Sequence, residues 1–341
     1  MRYKRRSTKK IQELPSLFTE AEIYGEESEK NTTVLSDTVV DTSECPVLGD
    51  EFRAPKHKLR FISFGSGSSG NCSYVGTSDC GILIDAGVDN KRVMAELERN
   101  GIDPTTIRGI FLTHDHGDHV RYAYALVRKQ PSIRRSDGSI SGWRLYATPR
   151  TIEGVLRRHN LSRRIRDYHT PIHKEHEYVF DDIKIVPFET SHDGADNMGY
   201  YIEMGDARLA ICTDTGVITD RADFYLRRAT SIMLESNYDD TMLANGSYPS
   251  YLKARIRSNV GHLDNVDAAR YIVETFRPTL KHVFLCHLSE ENNTPELAVQ
   301  SMTEALRRAG IDLAASPSTA GGGSIYLTAL PRYTPSDLYV L

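Results

Sequence analysis

The run Thr113-His114-Asp115-His116-Gly117-Asp118-His119 follows directly on the apolar stretch Gly109-Ile110-Phe111-Leu112. No other segment constrains the chain as strongly. Imidazole and carboxylate are the ligand types that hold zinc, manganese or iron at hydrolytic sites. His114 and His116 are two apart, so in extended chain both point the same way and can reach one cation. Gly117 lets the backbone bend. Asp118 and His119 come after that bend and project elsewhere, which suits a second cation. Asp115 faces away from His114 and His116 and drops out. Paired metals about 3.5–4 Å apart are the usual hydrolytic arrangement. A helix starting near Gly117 would add its positive N-terminal end.

These residues cannot fill two coordination spheres, so further ligands are expected downstream. His192 follows the alternating run Ile183-Lys184-Ile185-Val186. Asp214 ends Ala210-Ile211-Cys212-Thr213, and His287 ends Val283-Phe284-Leu285-Cys286. Each stands where a buried strand stops, the place where open α/β sheets put ligands. Cys212 and Cys286, beside two of these positions, read as small buried hydrophobes, with a ligand role as the alternative.

In order along the chain, Leu83-Ile84-Asp85-Ala86-Gly87, the His114–His119 run, His192, Asp214 and His287 resemble the metallo-β-lactamase superfamily over roughly residues 58–330. Gly65-Ser66-Gly67-Ser68-Ser69-Gly70-Asn71, Ser258-Asn259-Val260-Gly261-His262-Leu263 and His287-Leu288-Ser289-Glu290-Glu291-Asn292-Asn293 look like its YycJ/WalJ branch of nuclease-like metallohydrolases. The resemblance implies an α/β fold, a four-layer αβ/βα sandwich; pattern alone gives only mixed α/β. It implies one metal on His114, His116 and His192, a second on Asp118, His119 and His287, and Asp214 bridging both. Asp85 would orient a ligand without touching metal. Glu235 and His262 are similar to a Glu–His pair of ribonuclease Z-type enzymes, in which the His acts near the leaving group. A Glu bonded to a His raises its basicity and fixes its tautomer, which suits acid catalysis. The loop Gly65–Asn71 is either a flexible turn or a source of N–H and hydroxyl groups for a phosphate; it lacks the Gly-Lys-Ser/Thr of a P-loop.

Composition bounds the rest. The net charge of −4 makes any nucleic-acid contact local. Arginines from Arg121 to Arg166 could form a basic wall beside the site, or only an ordinary charged helical face. The odd set Cys45, Cys72, Cys80, Cys212 and Cys286 has no C-x-x-C pair and suits free thiols in the cytoplasm. No run approaches the length of a membrane helix, and no apolar stretch follows the basic N-terminus. Residues 1–56 read as a disordered or weakly ordered extension, or as a start codon assigned too early, and residues 57–341 as the hydrolase domain. Strands are expected near 59–64, 73–76, 81–85, 109–113, 144–147, 182–190, 198–204, 207–213, 231–235 and 281–285. Helices are expected near 89–99, 118–129, 149–159, 265–275 and 295–308, with a surface loop over Ser132–Gly142.

The resulting expectation is a dinuclear metal-dependent hydrolase that cleaves phosphodiesters, a DNA exonuclease-like enzyme. Its cofactors would be two divalent ions, zinc first and manganese second, and its partner nucleic acid, DNA foremost. A metal-bridging hydroxide would attack phosphorus. Asp118, Glu235 and His262 would be the catalytic residues. The interval from Asp214 to His287 is too short for a β-CASP domain, which argues against an mRNA-decay nuclease. The rivals are an ester, thioester or lactam hydrolase on the same metals, a di-iron oxygen- or NO-reducing protein, and a non-catalytic regulatory metal-binding protein. His116 stands where the di-iron proteins usually carry Glu.

Overall fold

Successive side chains of β1 (Arg60–Gly65) enter two different cores. Phe61 joins Val75, Ile82, Met198 and Phe284, whereas Ile62 and Phe64 join Leu83, Val93 and Leu97. This period of two is what a strand buried on both faces requires. A computed structural model describes residues 58–129, 133–134 and 140–341. The expectations for residues 1–56, and for most of the Ser132–Gly142 loop, lie outside the described residues.

The remaining strands are β2 (Cys72–Gly76), β3 (Gly81–Ile84), β4 (Ile107–Phe111), β5 (Ile133–Arg134), β6 (Ile140–Ser141), β7 (Arg144–Ala147), β8 (His169–Pro171) and β9 (Tyr178–Phe180). They continue with β10 (Ile183–Glu189), β11 (Met198–Met204), β12 (Ala207–Cys212), β13 (Ser231–Glu235), β14 (His282–Cys286), β15 (Asp312–Leu313), β16 (Ser324–Ala329) and β17 (Tyr339–Val340). One seven-stranded sheet has the order β17-β1-β2-β3-β4-β7-β8, and one eight-stranded sheet the order β15-β16-β14-β13-β12-β11-β10-β9. The sheets face each other across the core of Phe61, Ile82, Phe111, Tyr200, Ile211 and Phe284. Helices Asn90–Arg99 and Pro149–Arg158 flank the first sheet; Asn265–Glu274 and Pro295–Arg308 flank the second. Four layers result, as the resemblance implied.

Strand direction positions the site. β3 and β4 are parallel neighbours in one sheet; β12, β13 and β14 are parallel in the other. β10 pairs antiparallel with β11, and β11 with β12, so β10 runs with them. The sheets join at this edge, where the Met198 N–H donates to the Thr113 carbonyl (3.0 Å) and the His287 N–H to Ser66 Oγ (3.0 Å).

The helix expected over 118–129 is two, Gly117–Val120 and Ala123–Lys129. The Tyr122 N–H, which would have bonded the Asp118 carbonyl, donates to the Ala86 carbonyl (2.8 Å), and the Asp118 carbonyl accepts from the Asn71 N–H (2.8 Å). Tertiary bonds thus replace the helical ones. Within the expected loop, β5 and β6 pair antiparallel. Sequence patterning missed β16, which is only partly buried, and the short helices Asp220–Leu226, Asp240–Asn245 and Ser250–Ile256.

Candidate metal centre

Asp85, Asp214 and His287 each adopt positive φ (64°, 48° and 53°) just past β3, β12 and β14. This left-handed conformation is unfavourable for residues with a Cβ, and such outliers collect at functional sites. It turns each side chain off its strand end into the gap between the sheets. His114 and His116 follow β4, His192 follows β10, and Asp118 and His119 lie in the single turn after Gly117.

The structure brings together every expected ligand. Donor atoms of His114, His116 and His192 lie within 4.8 Å of one another, as do those of Asp118, His119 and His287, and those of His114, His119 and Asp214. Asp214 reaches both sides: Oδ2 is 3.2 Å from His119 Nε2, and Oδ1 is 3.5 Å from His287 Nε2 and 3.8 Å from His192 Nε2. Asp118 Oδ2 is 3.3 Å from His287 Nε2.

Hydrogen bonds on the far side of each ring decide which nitrogen faces inward. His119 Nδ1 donates to Asp85 Oδ2 (2.7 Å), and Asp85 also accepts from the Thr113 N–H (2.8 Å) and hydroxyl (2.9 Å). His287 Nδ1 lies 2.9 Å from Glu235 Oε1. His192 Nδ1 donates to the Gly261 carbonyl (2.8 Å). His116 Nε2 lies 3.3 Å from Asp193 Oδ1, which leaves Nδ1 toward His192. Glu235 Oε1 meets His262 Nδ1 as well (2.8 Å), while Oε2 accepts from the Thr215 (2.7 Å) and Leu263 (3.2 Å) N–H groups. His262 is in this way turned by a fully buried carboxylate, its ring 4.9 Å from that of His192 and 5.3 Å from that of His287.

Electrostatics show what the cluster lacks. Asp85, Asp214 and Glu235 are buried and Asp118 nearly so, yet no lysine or arginine pairs with them among the described residues. Burial opposes charge on Asp214, but His287 and His119 outweigh it and hold the carboxyl well below its ordinary value. Burial also opposes charge on His287; Asp214 leads the groups that overcome it and push the imidazole up to about 10. His119 rises for the same reasons, with Asp85 and Asp118 adding to Asp214. On the other side, burial and then His119 press His114 well below its ordinary value, and burial and His192 press His116 down to about 4. The carboxylates that favour the charged form of His119 and His287 would equally favour divalent cations in their place. Among the described residues His114 Nε2 is buried without any hydrogen-bond partner, as a metal-ligating nitrogen would be. The oxygen and imidazole donors fit zinc or manganese.

Sequence reasoning missed several supports. Asn71 Nδ2 lies 3.2 Å from Asp118 Oδ2 and 2.9 Å from His119 Nε2, while its Oδ1 closes the Gly/Ser loop by accepting from the Gly67 N–H (2.8 Å). Asp193 was passed over beside His192, and Arg255 holds it by Nε (2.6 Å). Asn237 braces His287. Gly87 is obligatory, because a Cβ there would lie 1.5 Å from the Asp118 carbonyl. Asp115 stays outside the cluster, buried against Arg158 Nε (3.1 Å). Cys212 and Cys286 are buried free thiols whose pKa burial raises, and no candidate metal group among the described residues includes a cysteine. Much of the arginine segment is engaged elsewhere: Arg144 with backbone carbonyls, Arg166 with Glu153 and Arg164 with Asp167.

Comparison with known proteins is consistent with this geometry. A family model described as a beta-lactamase superfamily domain matches residues 81–287. The exodeoxyribonuclease YycJ of Bacillus anthracis is 34% identical over 252 residues, 74% of this chain and 90% of that protein. The exodeoxyribonuclease WalJ of Streptococcus pneumoniae serotype 2 is 32% identical over 269 residues, 77% of this chain and 96% of that protein. The zinc-bound PqqB of Methylobacterium extorquens superposes with a TM-score of 0.55 at 14% identity, over 82% of this chain and 99% of that one; the likeness concerns the fold.

Proposed function

The chain belongs to the metallo-β-lactamase superfamily of hydrolases, and from that premise we propose that it cleaves phosphodiester bonds in DNA as an exonuclease. One observation carries the phosphodiester reading: the imidazole of His262 is held by buried Glu235 at the rim of the ligand cluster. The names of the YycJ and WalJ relatives support DNA as the substrate.

In this reading His114, His116 and His192 would hold one divalent cation and Asp118, His119 and His287 a second, with Asp214 within reach of both sets. Zinc is the first choice and manganese the second. Such cations supply Lewis acidity to a phosphoryl oxygen and acidify water at neutral pH. The chain's own part is to fix and to protonate. Asp85 and Glu235 lock the Nδ1–H tautomers of His119 and His287, which leaves Nε2 free to ligate. Glu235 also accepts from His262 Nδ1, which fixes how that ring is turned and would leave Nε2 to serve the departing oxygen. An ester or lactam hydrolase would not use that pair. Among the described residues no helix is long and apolar enough to cross a membrane. The free thiols support our reading of the cytoplasm as the compartment.

The test is a panel of labelled single- and double-stranded DNA, RNA and bis-p-nitrophenyl phosphate, with zinc or manganese, beside Asp118→Ala and His262→Ala. DNA turnover lost in both variants is the expected result. Cleavage of a thioester or lactam alone, or normal DNA turnover by His262→Ala, contradicts the reading.

A further inference from the structure

A cleft of 130 Å³ is lined by Arg92, Arg121 and Arg332 together with Ser69, Gly70 and Gly87. The only carboxylate lining it is Asp89, already engaged by the Lys91 N–H as the cap of helix Asn90–Arg99. Two of the arginines are anchored. Arg332 donates through Nε (3.2 Å) and Nη2 (3.0 Å) to the Leu288 carbonyl, and Arg92 donates to the Tyr333 carbonyl. The Arg121 side chain has no hydrogen bond or ion pair among the described residues, although it begins the arginine segment noted in the sequence. The space has room for one tetrahedral anion.

The walls of the cleft are chain neighbours of the ligands. The Gly87 N–H donates to the Asn71 carbonyl (2.8 Å), the Asn71 N–H to the Asp118 carbonyl (2.8 Å), and the Ala86 N–H to the His119 carbonyl (2.7 Å). Arg121 stands one turn after Asp118, and residues three apart on a helical turn are neighbours. An anion in the cleft would therefore be next to whatever occupies the cluster. A DNA strand presents such anions at regular intervals, and arginine forks match phosphate oxygens.

We propose that this cleft binds the phosphate adjacent to the scissile one on the same strand, with Arg121 as the mobile clamp. The inference rests on the phosphodiesterase reading and adds a register to it: the strand is held by one fixed phosphate while its neighbour is cut.

The test uses the metal-loaded full chain and a short oligonucleotide with one methylphosphonate, placed on either side of the scissile phosphate in turn. The wild type should lose about tenfold in kcat/KM for one placement, the scale of a lost charge-assisted bond. Arg121→Glu should lose at least as much on the unmodified oligonucleotide and show no further penalty from that methylphosphonate. Its loss on bis-p-nitrophenyl phosphate, which has a single phosphate, should be several-fold smaller. The slope of log kcat/KM against log salt should flatten by about 0.7 per lost phosphate contact on single strands. A variant that feels the methylphosphonate as the wild type does, or that falls equally on both substrates, overturns the cleft. A wild type inert toward every oligonucleotide contradicts the DNA reading and the cleft together. Arg121 is exposed and, among the described residues, unpaired, so a retained Tm separates these outcomes from misfolding.

Discussion

His114, His116 and His192 form one half of the cluster, and Asp118, His119 and His287 the other. The second half is braced by buried carboxylates, Asp85 behind His119 and Glu235 behind His287. The first half is braced more weakly, by the Thr113 hydroxyl behind His114, the Gly261 carbonyl behind His192 and the half-exposed Asp193 behind His116. The imidazoles follow. Carboxylates drive His119 and His287 up, whereas burial drives His114 and His116 down. With a buried carboxylate behind each of its two imidazoles, the second half should hold its cation more tightly.

Asp214→Ala should have the largest effect, since that carboxylate alone faces both halves. DNA turnover should drop by ~10³-fold, the scale of losing charge stabilisation at a reacting centre. Retained turnover would erase the division into halves. Glu235→Gln comes next, because one carboxylate braces both His287 and His262. Losses of about 10–100-fold are typical of such supports, and metal content measured with activity should show a cation lost as well as a slower step.

The metal-stripped protein offers a pH test. A histidine whose folded pKa is raised stabilises the fold fully below its unfolded value of 6.5, and that contribution is lost as pH rises through the folded value, about 10 for His287. The Tm of chelator-treated protein should therefore fall between pH 7 and 10, while cations in place of those protons should hold the Tm of the loaded protein level. Parallel curves would contradict the charge argument. The smallest effect belongs to Asp193→Asn, which loosens the His116 and His192 side and its tie to Arg255: about a tenfold weaker second-phase metal affinity, with the tighter phase unchanged by calorimetry.

The candidate ligands were legible because chemistry forced them together in sequence or to strand ends. The Thr-His-Asp-His-Gly-Asp-His run declares itself, and His192, Asp214 and His287 each close an apolar run. What braces them was less legible. Asn71, Asp193 and Asn237 are ordinary polar residues whose role arises only when β-strands distant in sequence become neighbours. The helix break at Tyr122 had the same origin, a carbonyl from Ala86 competing with the helix's own. The positive φ of His287 could not be anticipated either, since histidine does not advertise that conformation as glycine does.

The difference between the halves is tested most directly by calorimetric titration of the metal-stripped chain with zinc. Two cations per chain should bind in separable phases. His287→Ala should abolish the tighter phase and His116→Ala the weaker. One cation per chain, or two variants that lose the same phase, would contradict the two-halved site.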